Sequence, residues 1–337
     1  MTLPLSLPLA YSIGDPAGVG PELAAAAWAL RDAEALPPFF VVGSARVIEE
    51  AARRRGLSVP VCAVKSPDEV AGCFADALPV LDLGELPYMP GAPDDAGASL
   101  ALNALATATG LVRSGAAAAL VTGPVAKSRL ARVGFYHPGQ TEFVAEACGI
   151  SPENAVMMLA GPSLRVVPIT VHVALRDVPG LLTAELIRNR AAITAAALTR
   201  DYGIAAPRLA VAGLNPHAGE DGRMGSEDAE IVAPAVALLR EAGIDASGPL
   251  PPDTMFHAEA RERYDVAICM YHDQALIPLK VLDFDTGVNV TLGLPIVRTS
   301  PDHGTAFGIA GTGTARVGPT IAALRMAGEC ARRRLGQ

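Results

Sequence analysis

Short aliphatic, β-branched runs alternate along this chain with longer Ala- and Leu-rich stretches, and that alternation restricts the fold more than any other feature. Candidate strands lie at 39–43, 59–64, 118–122, 164–173, 208–214, 265–271 and 288–292, with helical patterns at 21–31, 99–114, 184–202, 226–242 and 315–327. Strands separated by helices predict an α/β architecture with mainly parallel strands. Half of the 337 residues are hydrophobic, 18% are charged and 4% are aromatic. The apolar content is carried by Ala, Val and Leu, which suits helices packed on a buried sheet and excludes disorder. The length fits one large or two ordinary domains. There is no internal repeat. The segment PGAPDDAGAS at 90–99 reads as a surface loop, with Ser99 placed to cap the next helix.

The formal net charge is −8 and no Lys/Arg stripe occurs, so a nucleic-acid partner is not expected. An anionic substrate remains compatible, because a few cations in one cleft set the local field. The apolar N-terminal stretch lacks a basic leader and runs into GDPAG, so it reads as a first strand and not as a signal peptide. No apolar run reaches membrane-spanning length, and a cytoplasmic enzyme is expected. Five cysteines without CxxC spacing read as small buried hydrophobes in a reducing compartment.

Three polar, Gly-rich motifs directly follow strands: TGPVAK, NPHAGEDG and HDQ. Open α/β sheets bind ligands beyond the carboxyl ends of their strands, so the three point to one shared cleft. His172, His217 and His272 each lie at or beyond such a strand end. Singly, each reads as readily as a structural histidine. Three neutral imidazoles from separate strands would suit zinc or another transition ion, acting as a Lewis acid. His137 and His257 read as structural, and His303 sits in a turn able to cap a segment or meet a cofactor. GDPAGVGPE and TGPVAKS, which contains Lys127, match neither a P-loop nor GxGxxG, and HGTAFGIAGTGTARVGP lacks Rossmann spacing. Lys280, Asn289 and Arg298 follow one another through strand-like and loop sequence. As a set they offer two charges and an amide to a phosphate, or simply solvent-facing polarity.

Taken in order, GDPAGVGPE, TGPVAK, GQTEFVAE, GLNPHAGE, PPDTMF, MYHDQALIPLK and GVNVTLGLPIVRTSPDHGTA resemble the 4-hydroxythreonine-4-phosphate dehydrogenase family of vitamin B6 synthesis, from about residue 10 to about 325. HGTA…IAG also resembles the isopropylmalate and isocitrate dehydrogenase superfamily, whose NAD loop is not a Rossmann motif. The resemblance implies two α/β/α domains around a central cleft, 1–138 with 291–337 on the NAD side and 139–290 carrying metal, substrate and dimer interface. It implies a homodimer and NAD or NADP as cofactor. His172, His217 and His272 match the family's ligands for a divalent metal (zinc, magnesium or cobalt), with one contributed across the dimer. It implies Gln140, Thr141, Lys280, Asn289 and Arg298 at the substrate, and His303, Gly304, Thr305 and Gly311 at the cofactor. Asp253 and Asp273 are candidates for the base or for orienting imidazoles, and Lys127 for donating a proton to an enolate. Gln140 departs from the family's usual His, and it can neither carry charge nor transfer a proton.

The implied reaction oxidises 4-phosphooxy-L-threonine to a β-keto acid that decarboxylates to 3-amino-2-oxopropyl phosphate. Two alternatives keep the chemistry and change the substrate, to phosphorylated threonate or erythronate, or to a cyclic dihydrodiol carboxylate. A metal-dependent aldolase or hydrolase without NAD is a further alternative from another class, and a non-catalytic small-molecule binding protein is the last.

Overall fold

The computed structural model describes residues 5–336; residues 1–4 of the expected first strand's approach lie outside them. In chain order the elements are β1 (Leu9–Ser12), α1 (Gly20–Ala29), β2 (Phe39–Gly43), α2 (Ala45–Arg54), β3 (Val61–Val64), α3 (Val70–Cys73), β4 (Leu78–Asp82), α4 (Asp95–Arg113), β5 (Leu120–Thr122), α5 (Lys127–Leu130) and α6 (Gln140–Ala147). There follow β6 (Val156–Ala160), β7 (Arg165–Pro168), α7 (Val178–Leu181), α8 (Ala184–Tyr202), β8 (Arg208–Ala212), α9 (Ala233–Glu241), β9 (Asp245–Leu250) and α10 (Ala258–Arg261). The last are β10 (Val266–Cys269), α11 (His272–Asp283), β11 (Val288–Leu292), β12 (Arg298–Pro301) and α12 (Gly318–Leu335).

The chain divides into two compact units, one ending at Pro152 and resuming at Leu294, the other spanning Glu153–Gly293. Sequence places the first boundary at 138–139, and the contacts place it at 152–153. The helix α6 therefore belongs to the first unit, where it packs on α4. In that unit the strand order is β3-β4-β2-β1-β5-β12, every pair parallel. Every residue of β1 and β2 is buried, as two-sided helical cover requires. In the second unit the order is β11-β6-β7-β10-β8-β9, with β6 antiparallel to both neighbours. The fold is mixed α/β as expected, and β2, α8 and β11 occupy the expected residues.

Differences fall where local chemistry overrides periodicity. The strand at 164–173 stops at Pro168, and the chain turns to reach a positive φ of 54° at His172. The capping residue of α4 is Asp94, whose Oδ1 accepts from the Gly97 amide at 2.7 Å. Ser99 instead bonds back to the Asp95 carbonyl inside the helix. Lys280 lies within α11, not in strand or loop. The 226–242 pattern splits into a π-helical turn (Asp228–Val232) and α9. Of the cysteines, Cys269 and Cys330 are buried but Cys62, Cys73 and Cys148 are only half-buried; none of the five forms a disulfide. No helix among the described residues is long and apolar enough to cross a membrane.

Candidate active site

In the first unit, glycine lets three loops approach more closely than side chains would allow. Gly123 donates to the Ser12 carbonyl at 2.8 Å and Asp15 to that of Pro124 at 2.9 Å. A Cβ on Gly14, whose φ is +75°, would stand 2.5 Å from the Pro124 oxygen. The third loop joins where Val19 donates to the Thr305 carbonyl at 3.0 Å, and a Cβ on Gly18 would meet that same oxygen at 2.8 Å. The GDPAG, TGP and HGT motifs thus form one seam at the ends of β1, β5 and β12. The Asp15 carboxyl is buried in the seam and accepts from the Ala17 amide at 3.0 Å. Burial raises its pKa, against that hydrogen bond.

Arg298, the first residue of β12, is 3% exposed. Its Nη2 donates to Thr122 Oγ1 at 2.8 Å and its Nη1 to Thr141 Oγ1 at 3.4 Å. Burial draws the guanidinium down to about 10, opposed by the charge of Glu142. Gln140 opens α6 and donates from Nε2 to the Gly123 carbonyl at 3.1 Å, while its Oε1 is buried without a hydrogen bond. The exposed Lys127 brings its Nζ to 3.5 Å from where a Cβ on Gly139 would stand. Lys127, Gln140, Thr141 and Arg298 are therefore gathered in one unit. His303 turns Nδ1 toward the Gly304 carbonyl at 3.0 Å and buries Nε2 without a partner. A donated Nδ1 proton leaves Nε2 as a bare acceptor beside the Gly304–Thr305 backbone, a fit for a cofactor donor. Gly311 lies farther along the same loop, where a Cβ would meet Pro90 at 2.6 Å.

In the second unit the three histidine-bearing segments are laced together beyond β7, β8 and β10. Thr170 donates through Oγ1 to the Met270 carbonyl at 2.8 Å. Gln274 accepts from the Met270 amide at 2.6 Å and donates to the Gly213 carbonyl at 2.8 Å. The MYHDQ glutamine thereby clamps the GLNPHAGE loop. His172 and His272 face one another with ring centroids 5.7 Å apart. They line a cavity of about 570 Å³ with Asp253, Tyr271, Asp273 and Phe256. Asp273 Oδ1 lies 2.7 Å from His272 Nδ1, which fixes that nitrogen as donor and leaves Nε2 for a ligand.

His217 does not line this cavity. It is exposed on the turn Pro216–Gly219, which packs against the Pro252–Thr254 segment that carries Asp253. No group of three His, Cys, Asp or Glu spaced to hold a metal ion occurs among the described residues. Two imidazoles of one chain thus converge, with a third on the adjoining turn. Lys280 stands apart from the cavity on α11, its Nζ 5.2 Å from the Phe284 ring. Asn289 Oδ1 is buried without a hydrogen bond. His137 is packed among Phe135, Tyr136 and Phe143, and exposed His257 precedes α10. Sequence reasoning passed over Thr122, Asp15 and Gln274 as individual groups, although each stood inside a quoted motif.

The two units together carry a mixed α/β fold of the isocitrate/isopropylmalate dehydrogenase type. A β-decarboxylating dehydrogenase of Thermococcus kodakarensis shares that fold at 14% identity and a TM-score of 0.50, covering 98% of this chain and 84% of that one. Residues 35–327 match the model of the family "Pyridoxal phosphate biosynthetic protein PdxA", and the chain belongs to that family. It is 57% identical to the 4-hydroxythreonine-4-phosphate dehydrogenase of Erythrobacter litoralis, over 97% of each chain. The crystal structure of that dehydrogenase from Klebsiella pneumoniae superposes with a TM-score of 0.86 at 36% identity, covering 98% of this chain and 99% of that one. A terephthalate 1,2-cis-dihydrodiol dehydrogenase of Burkholderia xenovorans gives 0.65 at 30%, over 96% and 98%.

Proposed function

We propose that this chain oxidises the C3 hydroxyl of 4-phosphooxy-L-threonine with NAD and releases carbon dioxide from the β-keto acid, leaving 3-amino-2-oxopropyl phosphate. The observation that carries this reading is the facing pair His172 and His272, oriented by Asp273 at the mouth of a cavity large enough for a small acid. His172, His217 and His272 hold a divalent cation, with zinc favoured by imidazole donors and magnesium or cobalt as alternatives. That cation, when bound, supplies Lewis acidity to the substrate oxygens. His303, Gly304, Thr305 and Gly311 would hold the nicotinamide cofactor, NAD in preference to NADP, which would supply the hydride acceptor.

The chain's own groups do the rest. Arg298, held by Thr122 and Thr141, presents a preset fork to the phosphate, and Lys280 and Asn289 are further substrate-binding residues. Gln140 Oε1 accepts a hydrogen bond from a substrate hydroxyl or amine, a role that needs no charge. Asp253, which shares the cavity, or Asp273 takes the hydroxyl proton, and Lys127 returns a proton to the enolate carbon. Five cysteines outside any disulfide fit a reducing cytoplasm. A homodimer buries the apolar face of α11 and its C-cap, where Ile277, Val281 and Phe284 are 61%, 79% and 63% exposed. The second copy supplies the histidine that a single chain does not bring to the pair.

The test is NADH formation, with NADP in parallel, from 4-phosphooxy-threonine, phosphorylated threonate and erythronate, and a cyclic dihydrodiol carboxylate. Zinc, magnesium or cobalt is added back after chelation. Turnover with the first substrate alone, lost together with metal content in His172→Ala and His272→Ala, supports the proposal. Undiminished turnover in metal-free protein overturns it.

A further inference from the structure

The turn that carries His217 adopts a conformation that L-residues resist. Six successive residues have positive φ: His217 (52°), Ala218 (53°), Gly219 (81°), Glu220 (41°), Asp221 (55°) and Gly222 (85°). The run is closed by amide-to-carbonyl bonds from Glu220 to His217 (3.3 Å), Gly222 to Gly219 (2.9 Å) and Arg223 to Glu220 (3.2 Å), which makes it a left-handed helical turn. Single left-handed residues are ordinary, but a run with four side chains in it is not, because each Cβ crowds the following carbonyl. Such a turn persists only where its surroundings dictate it.

Asp228 anchors the backbone that leads into this turn. Its side chain is 1% exposed and opens the π-helical turn Asp228–Val232. Oδ1 accepts from the Leu214 amide at 2.7 Å and Oδ2 from the Asn215 amide at 3.0 Å, so the carboxylate grips the backbone where the chain leaves β8. Asn215 in turn donates from Nδ2 to Glu227 Oε2 at 2.9 Å. Gly213 fills the remaining gap, since a Cβ there would stand 2.9 Å from both Ala218 Cα and Asp228 Oδ1. Both carboxylates lie outside the GLNPHAGE motif, on the SED that follows it.

We infer that Asp228 is a positioning residue whose carboxylate holds residues 217–222 in the left-handed turn that presents His217 to a divalent cation. This rests on the cation-binding reading above. Zinc content and zinc affinity, measured by chelator competition, are compared in the native protein, His217→Ala, Asp228→Asn, Glu220→Gly and Glu220→Val. Asp228→Asn is expected to weaken zinc ten- to hundredfold, the span seen when a ligand's supporting shell is removed. The two changes at exposed Glu220 remove the same charge and differ chiefly in how easily they turn left-handed. Glu220→Gly is expected to bind at least as tightly as the native chain, and Glu220→Val several-fold more weakly. Unchanged zinc affinity in folded Asp228→Asn overturns the inference, and should that variant fail to fold, the Glu220 pair tests the left-handed turn on which the inference depends. Zinc loss in His217→Ala, with equal affinity in Glu220→Gly and Glu220→Val, overturns the inference alone. Equal zinc affinity in native protein and His217→Ala overturns the cation reading, and the inference with it.

Discussion

Arg298 carries a charge where almost none of its surface meets water, and burial lowers its pKa to about 10. In the proposed reading that guanidinium, held by two threonine hydroxyls, is the planar fork that meets the substrate phosphate. Replacing Arg298 with Lys keeps the charge and removes the planar fork. We expect KM for the phosphorylated substrate to rise at least about tenfold, in line with the loss of one charge-assisted hydrogen bond. Steady-state kinetics on Arg298→Lys, with Thr122→Val as a milder companion, check this, and an unchanged KM would remove Arg298 from phosphate recognition.

Among the elements, two ends are fixed by single carboxylates. Asp94 caps α4 through the Gly97 amide, so Asp94→Ala should cost about 1 kcal/mol in urea unfolding. Asp265 joins the starts of β8 and β10, accepting from the Arg208 amide at 2.8 Å and pairing with its guanidinium at 3.1 Å. Burial pushes the Asp265 carboxyl up, but the Arg208 hydrogen bonds and charge outweigh it and leave it below the ordinary value of 3.8. A depressed aspartate stabilises the fold fully above its unfolded pKa and loses that contribution as pH falls through the folded one. Asp265→Asn should therefore cost up to about 1 kcal/mol at pH 7, since the pair is partly exposed. At pH 3 the difference from the native chain should shrink. A pH-independent difference would show that the charge plays no part.

The assembled protein raises the matter of the exposed α11 face. Ile277 and Val281, with Phe284 at the C-cap, recur at helical spacing along the element whose first residue is His272. Val281→Asp should convert a dimer into monomers on light-scattering chromatography and lower zinc content in the same preparation. Native protein that runs as a monomer with full zinc would refute the shared site. Each unit also has its own share of the chemistry. The first gathers Lys127, Gln140, Thr141 and Arg298 with the glycine seam, and the second gathers the imidazoles, Asp253 and Asp273.

Much of this was legible in the linear chain. Period and composition indicated α/β order and found β2, α8 and β11, because buried parallel strands are nearly continuous apolar runs and long helices carry their own caps. The motifs could be located because Gly, Pro, His and Asp cluster where strands end. Edge strand β9, with its Gly and Pro, escaped notice, as did β4, β6 and β12, because strand identity depends on the pairing and burial that the fold supplies. The same holds at the site. Spacing could nominate His172, His217 and His272, but it could not show that two face each other while the third rides on a left-handed turn. Nor could it show that Gln274 reaches the Gly213 carbonyl, or that Asp228 accepts from the Leu214 and Asn215 amides. Hydrophobic period is written locally in the sequence, whereas hydrogen bonds across crossovers exist only after the chain has folded.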